Sequence, residues 1–141
     1  MWTDTEEFEA HYERGRHLEE TRLKPEACAE YEEAVELYRD DYLVEDLYEG
    51  WTMFEREWLV DAYVDMLGRL AGYYAENERY QESVRACYRL LEKDNRHEGS
   101  HRLLMEYYAR LDLRGRAFRQ YRLLEDVLKR NYGTPTGYSP S

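Results

Sequence analysis

Leu70, Tyr73, Tyr74 and Ala75 recur 34 residues later as Leu104, Tyr107, Tyr108 and Ala109, and the string Tyr-Arg-Leu-Leu-Glu at 88–92 returns at 121–125. Self-similarity at this length marks pairs of antiparallel helices that cannot bury their apolar faces alone and must stack on a neighbouring pair. The repeat restricts the chain to a helical stack. The two offsets are 34 and 33. Either the loop after Ala109 is one residue shorter than its counterpart, or the second string has slipped by one position; both registers stay open at this level.

Apolar spacing divides the chain into helices. Thr5 to about Thr21 places Phe8, His11, Tyr12, Gly15 and Leu18 on one face, with Glu6 and Glu7 in the first turn where the helix dipole favours acids. Pro25 opens a second helix through Arg39, carrying Ala27, Tyr31, Ala34, Val35 and Tyr38 at helical spacing. The period breaks from Asp40 to Gly50, which reads as an ordered connector. A long helix follows from about Thr52 to Asn77 with Phe54, Trp58, Leu59, Ala62, Met66, Leu67, Leu70 and Tyr73 or Tyr74 as its stripe. Gly68 and Gly72 inside it each cost about 1 kcal/mol relative to Ala, so a neighbouring helix is expected to pass close to the backbone there. Helices at about 80–93, 98–111 and 115–130 complete three pairs. The residues after Gly133 are rich in Pro, Gly and Ser and read as a flexible tail, 134–141, behind a domain spanning 1–133.

Composition narrows the function. Two cysteines, Cys28 and Cys87, are too few for a disulfide scaffold and sit at positions consistent with burial as reduced thiols. No apolar run approaches the roughly 20 residues of a membrane span, so a cytoplasmic protein is expected. Residues 1–60 hold 19 acidic and 6 basic side chains, whereas residues 61–141 hold 12 acidic and 14 basic. An acidic half argues against direct wrapping of nucleic acid, which needs clustered cations.

The order of several short strings resembles the bacterial transcriptional activator domain, the TPR-like module of SARP-type regulators. The family's A-L-x-L-Y-x-G-x-x-L is matched by Ala34, Val35, Leu37, Tyr38 and Leu43, with Asp40 where Gly is usual. Trp51, Glu55 and Arg56 resemble its Trp and Glu-Arg opening of a long helix. His101 to Met105 matches H-R-L-L-M, and Ala117, Arg119, Gln120 and Tyr121 match A-x-R-Q-Y; Phe8, Gly15, Arg16 and Leu18 resemble its F-x(6)-G-R-x-L. The resemblance implies an all-α, TPR-like right-handed stack of three antiparallel helix pairs with one long central helix. With no Ser/His/Asp order, Gly-rich phosphate loop or CxxC pair in the sequence, no enzyme activity and no cofactor are expected. The resemblance further implies a regulatory module that self-associates or contacts a winged-helix DNA-binding domain or RNA polymerase, reaching DNA only through a separate domain. Such regulators carry a winged-helix domain before this module; on that expectation the chain is an excised half or a stand-alone relative.

Three groups of residues are candidates for function. On the repeat alignment the first helix of each pair would line a concave surface with Tyr12, Arg16, Arg102, Glu106 and Arg110, a composition suited to a peptide groove. A stand-alone adaptor that captures a peptide there is the alternative reading. The last helix gathers Arg114, Arg116, Arg119, Arg122, Lys129 and Arg130 against only Glu125 and Asp126, a basic face able to meet the acidic half of another copy. Finally, His97-Glu98-Gly99-Ser100-His101 matches the HExxH zinc-hydrolase pattern literally, with Glu125 as a third-ligand candidate. That string opens a helix rather than lying inside one, Gly99 weakens it, and His101 also belongs to the H-R-L-L-M string, so packing is the favoured reading and no metal is expected.

Overall fold

The computed structural model describes residues 4–39 and 53–132. Among the described residues all regular structure is helical: α1 (Asp4–Glu20), α2 (Lys24–Arg39), α3 (Met53–Glu76), α4 (Tyr80–Lys93), α5 (Glu98–Arg110) and α6 (Arg114–Tyr132). These bounds follow the periodicity of the sequence to within two residues at each end. The expected connector 40–50, Trp51 at the mouth of the long helix, and the tail 134–141 lie outside the described residues.

The chain forms two compact units, Met1–Tyr73 and Tyr74–Ser141. In the first, α1 and α2 make a hairpin whose inner faces bury Phe8, Ala27, Tyr31, Ala34, Val35 and Tyr38. Burial of such apolar bodies stabilises by about 1.5–3 kcal/mol per large side chain. The ring of Tyr38 stacks on Tyr63 of α3 at 3.8 Å and 13°, while Phe8 meets Trp58 edge-on at 6.5 Å. Leu59, Ala62, Met66, Leu67 and Leu70 of α3 are buried as expected. Phe54, assigned to the same stripe, is 78% exposed; one turn later Trp58 meets the rings of Phe8 and Tyr12 of α1. Gly72 also departs from expectation, since a Cβ there would meet nothing within 4 Å. A close approach to the backbone is found at Gly15, against the ring of Tyr31.

In the second unit α4 contributes Ser83, Ala86, Cys87 and Leu90, α5 contributes Ser100, His101, Leu104 and Tyr108, and α6 contributes Gln120, Leu124 and Val127 to the buried interior.

The turns that end α1, α3 and α5 are built alike. Each places one non-glycine residue in the left-handed region: Arg22 at φ 65°, Glu78 at φ 60° and Asp112 at φ 60°. The following amide reaches back to the last turn, Leu23 to Leu18 O, Arg79 to Tyr74 O and Leu113 to Tyr108 O, each at 2.8 Å. The left-handed residue itself donates to Glu19 O, Ala75 O or Ala109 O at 3.0–3.1 Å. This is the Schellman closure, which satisfies carbonyls that a helix end otherwise leaves open.

The turns also fix the register of the repeat. Glu78 and Asp112 are 34 residues apart, as are the amides of Ser83 and Ala117 that open the next helices by bonding Arg79 O and Leu113 O. The loop after Ala109 is therefore not shortened. Leu90 corresponds to buried Leu124, and Leu123 of the returning string is 51% exposed, so the string itself has slipped by one position.

Candidate protein-interaction surfaces

In the first unit Tyr12 and Arg16, one turn apart on α1, face α3. The Tyr12 hydroxyl donates to Asp65 Oδ2 at 2.8 Å, and Arg16 Nη1 donates to the Tyr12 oxygen at 3.2 Å. Arg69 continues the chain, donating from Nε to Asp65 Oδ2 at 3.0 Å and from Nη1 to Glu19 Oε1 at 2.6 Å. Tyr31 donates to the same Glu19 oxygen at 2.6 Å. Burial together with the Asp65 bond pushes the Tyr12 phenol up, and burial with the Glu19 bond does the same for Tyr31. Burial opposes the Arg69 charge, but Asp65 and Glu19 outweigh it and hold that guanidinium above its ordinary value. Tyr12 is thus committed to joining α1 with α3, and Arg16 is the exposed end of the network. Sequence reasoning missed Asp65, Arg69 and Glu19, whose partners lie up to 53 residues away.

In the second unit Arg102, Glu106 and Arg110 follow one another along the exposed side of α5. Arg102 pairs with Glu98 at 3.0 Å, and Arg110 lies 3.9 Å from Glu106 and 5.1 Å from the centre of the Tyr80 ring. Glu106 and Arg110 rim a cavity of about 40 Å³ with Tyr80, Leu103 and Tyr107. That space is small beside ligand clefts, which start at about 300 Å³.

The larger concavity lies on the basic helix. A groove of about 490 Å³ is lined by Tyr108, Arg116, Arg119, Gln120, Arg122, Leu123 and Asp126. Its size falls within the range of ligand clefts. Three of the six expected basic residues therefore share one groove. Arg114 instead lies 3.6 Å from Asp112, and Lys129 and Arg130 are exposed along the same helix. Arg116 stands 6.0 Å over Tyr108, and Arg122 stands 5.8 Å over Phe118 while approaching Glu125 at 3.7 Å.

The HExxH string serves the helix it opens. His97 is the N-cap of α5, with Nδ1 accepting from the Ser100 amide at 3.1 Å and lying 2.9 Å from Ser100 Oγ. His101 is 3% exposed, its Nε2 donating to Asn95 O at 2.9 Å and its Nδ1 accepting from Gln120 Nε2 at 2.8 Å. The Asn95 carbonyl facing Nε2 makes that nitrogen the donor. Glu98 bonds Arg102. Among the described residues no group of three or more His, Cys, Asp or Glu side chains is placed to hold a metal ion, and no helix is long and apolar enough to cross a membrane.

Helices joined by a recurring capped turn, with charged and aromatic side chains on their open faces, define an all-α chain of repeat-like construction. The family model of the bacterial transcriptional activator domain matches residues 3–139, and the chain belongs to that family, a regulatory rather than an enzyme family. No curated protein and no solved structure matches the chain.

Proposed function

We propose that this chain is the regulatory, protein-interaction module of a SARP-type bacterial transcriptional activator, arranged as a TPR-like stack of three helix pairs. The family match over residues 3–139 carries the reading. The 34-residue spacing of Glu78 and Asp112 at like-built turns supports the repeat architecture. The module acts through protein contacts: self-association, a winged-helix DNA-binding domain, or the transcription machinery. Arg16 on the first unit and Arg102, Glu106 and Arg110 on the second are exposed groups available to a protein partner, as is the basic face of α6. DNA is reached indirectly, because the first unit holds 21 acidic against 7 basic side chains and repels phosphate. Self-association raises the effective concentration of an attached DNA-binding domain at neighbouring sites.

Fusing the chain to a monomeric DNA-binding domain of known operator tests this function. The fusion is expected to occupy a two-site operator more tightly than the DNA-binding domain alone and to raise transcription from it, while the isolated chain shifts no DNA in a mobility assay. Equal occupancy and output with and without the chain would overturn the reading.

A further inference from the structure

We propose that the outer face of α6 binds the acidic face of α1 in a second copy of this chain, so that copies join head to tail. The inference rests on the self-association reading above and names its surfaces. Gln120, Leu124 and Val127 turn one side of α6 inward. At about 100° per residue, the opposite side carries Phe118, Arg122 and Lys129, with Glu125 and Asp126 beside them and Arg119 and Arg130 further round one flank, so that cations outnumber acids there by four to two. Phe118, 59% exposed, adds an apolar patch to this side, and Tyr121 and Leu123 lie exposed on its two flanks, Leu123 within the groove that Arg116, Arg119 and Arg122 also line. Arg with exposed aromatics is the composition that carries binding energy at protein interfaces.

The complement lies on α1. Phe8 and Gly15 turn inward, and the side facing away from them carries Glu6, Glu13, His17 and Glu20, with Glu9 at its edge, all exposed. Helix α1 holds 7 acidic and 2 basic residues, whereas α6 holds 6 basic and 2 acidic. The same asymmetry extends to the units, 21 acidic to 7 basic in the first and 10 acidic to 13 basic in the second. A symmetric contact of α6 with α6 would set like charges together, which costs affinity. A contact of α6 with α1 satisfies both faces and is heterologous, leaving one of each unpaired in a dimer so that further copies add until a ring closes.

The test is light scattering and sedimentation of the full chain over a concentration series. The chain is expected to associate with rising concentration. Association should weaken about tenfold or more when salt rises from about 0.1 M to about 1 M, which shortens the screening length from about 10 Å to about 3 Å. Arg119→Gln/Arg122→Gln and Glu9→Gln/Glu13→Gln should each fail to self-associate, yet form a discrete one-to-one pair when mixed, since each retains the half the other lacks. Pairing in the mixture also shows that both variants are folded. If both variants associate like the parent chain, or their mixture fails to pair, the α6–α1 contact is overturned while self-association by another face stands. A parent chain that stays monomeric throughout overturns both readings. Binding of the chain to DNA, lost in Arg119→Gln/Arg122→Gln, would instead assign the basic face to phosphate.

Discussion

Gly15 lies so close to the ring of Tyr31 that a Cβ at position 15 would come within 2.3 Å of Tyr31 Cε1. No side chain fits that gap without moving a buried ring, whose hydroxyl is held by Glu19 at 2.6 Å. Gly15→Ala is therefore expected to destabilise by about 1–3 kcal/mol despite alanine's better helix propensity. Thermal denaturation followed by circular dichroism checks this, and an unchanged or higher Tm would refute the close approach.

Glycine is expected to help where the backbone is left-handed. Asp112 holds φ 60° at a turn, and its own amide donates to Ala109 O. The left-handed region costs an L-residue about 1–2 kcal/mol, partly offset by the greater freedom that glycine gives the unfolded chain. Asp112→Gly should raise stability by about 1 kcal/mol. Asp112→Val should lower it, and a denaturant titration that reversed this order would contradict the capped turn.

Arg69 bridges two carboxylates of the first unit, Asp65 and Glu19. Replacing it with Met leaves both acids beside each other without their cation. The guanidinium is 34% exposed, so the cost is expected at about 1–2 kcal/mol, below that of a fully buried pair. A double-mutant cycle with Asp65→Asn should return a coupling energy clearly above zero; strict additivity would place Arg69 outside the network.

Alkaline pH should weaken the fold in a defined window. Burial pushes the Cys87 thiol up to about 11, against opposing bonds from Ser100 and Ser83. Burial and the Tyr108 hydroxyl push Tyr88 up to about 12. Both shifts favour the neutral form in the folded chain, so their stabilisation is fully present below the unfolded values near 9 and 10 and is lost as pH climbs through 11 and 12. Melting temperature is expected to fall over this range, and Cys87→Ala should remove the earlier part of the decline. At pH 8 Cys87 should react slowly with a thiol reagent until the protein is unfolded; rapid native-state labelling would contradict its burial.

How much of this was legible in the sequence depended on distance along the chain. Helix limits could be read because apolar spacing and the residues that break it are local, as at Pro25 and between Lys93 and Glu98. Family membership could be read from the order of short strings that are individually weak. The register of the last pair could not, because Tyr-Arg-Leu-Leu-Glu repeats in letters one position out of step with its repeat in space, exposing Leu123 and burying Leu124. Phe54 and Gly72 misled for a related reason: each fits a pattern along its own helix, and whether anything meets it is decided by another element. Tyr12 could be singled out by spacing, but its bond to Asp65 needed the fold. His101 fits two strings at once, and only its bonds to Asn95 and Gln120 show which task it performs.

The three Schellman closures are made by main-chain amides and carbonyls, with Arg22, Glu78 and Asp112 at equivalent places. Because no side-chain chemistry is shared there, mutation is free to rewrite those letters while the architecture persists. What selection has to guard is a bend that one residue tolerates and, between Glu78 and Asp112, a count of 34 residues. Inserting a single amino acid into such a turn should therefore harm the protein more than replacing every residue within it.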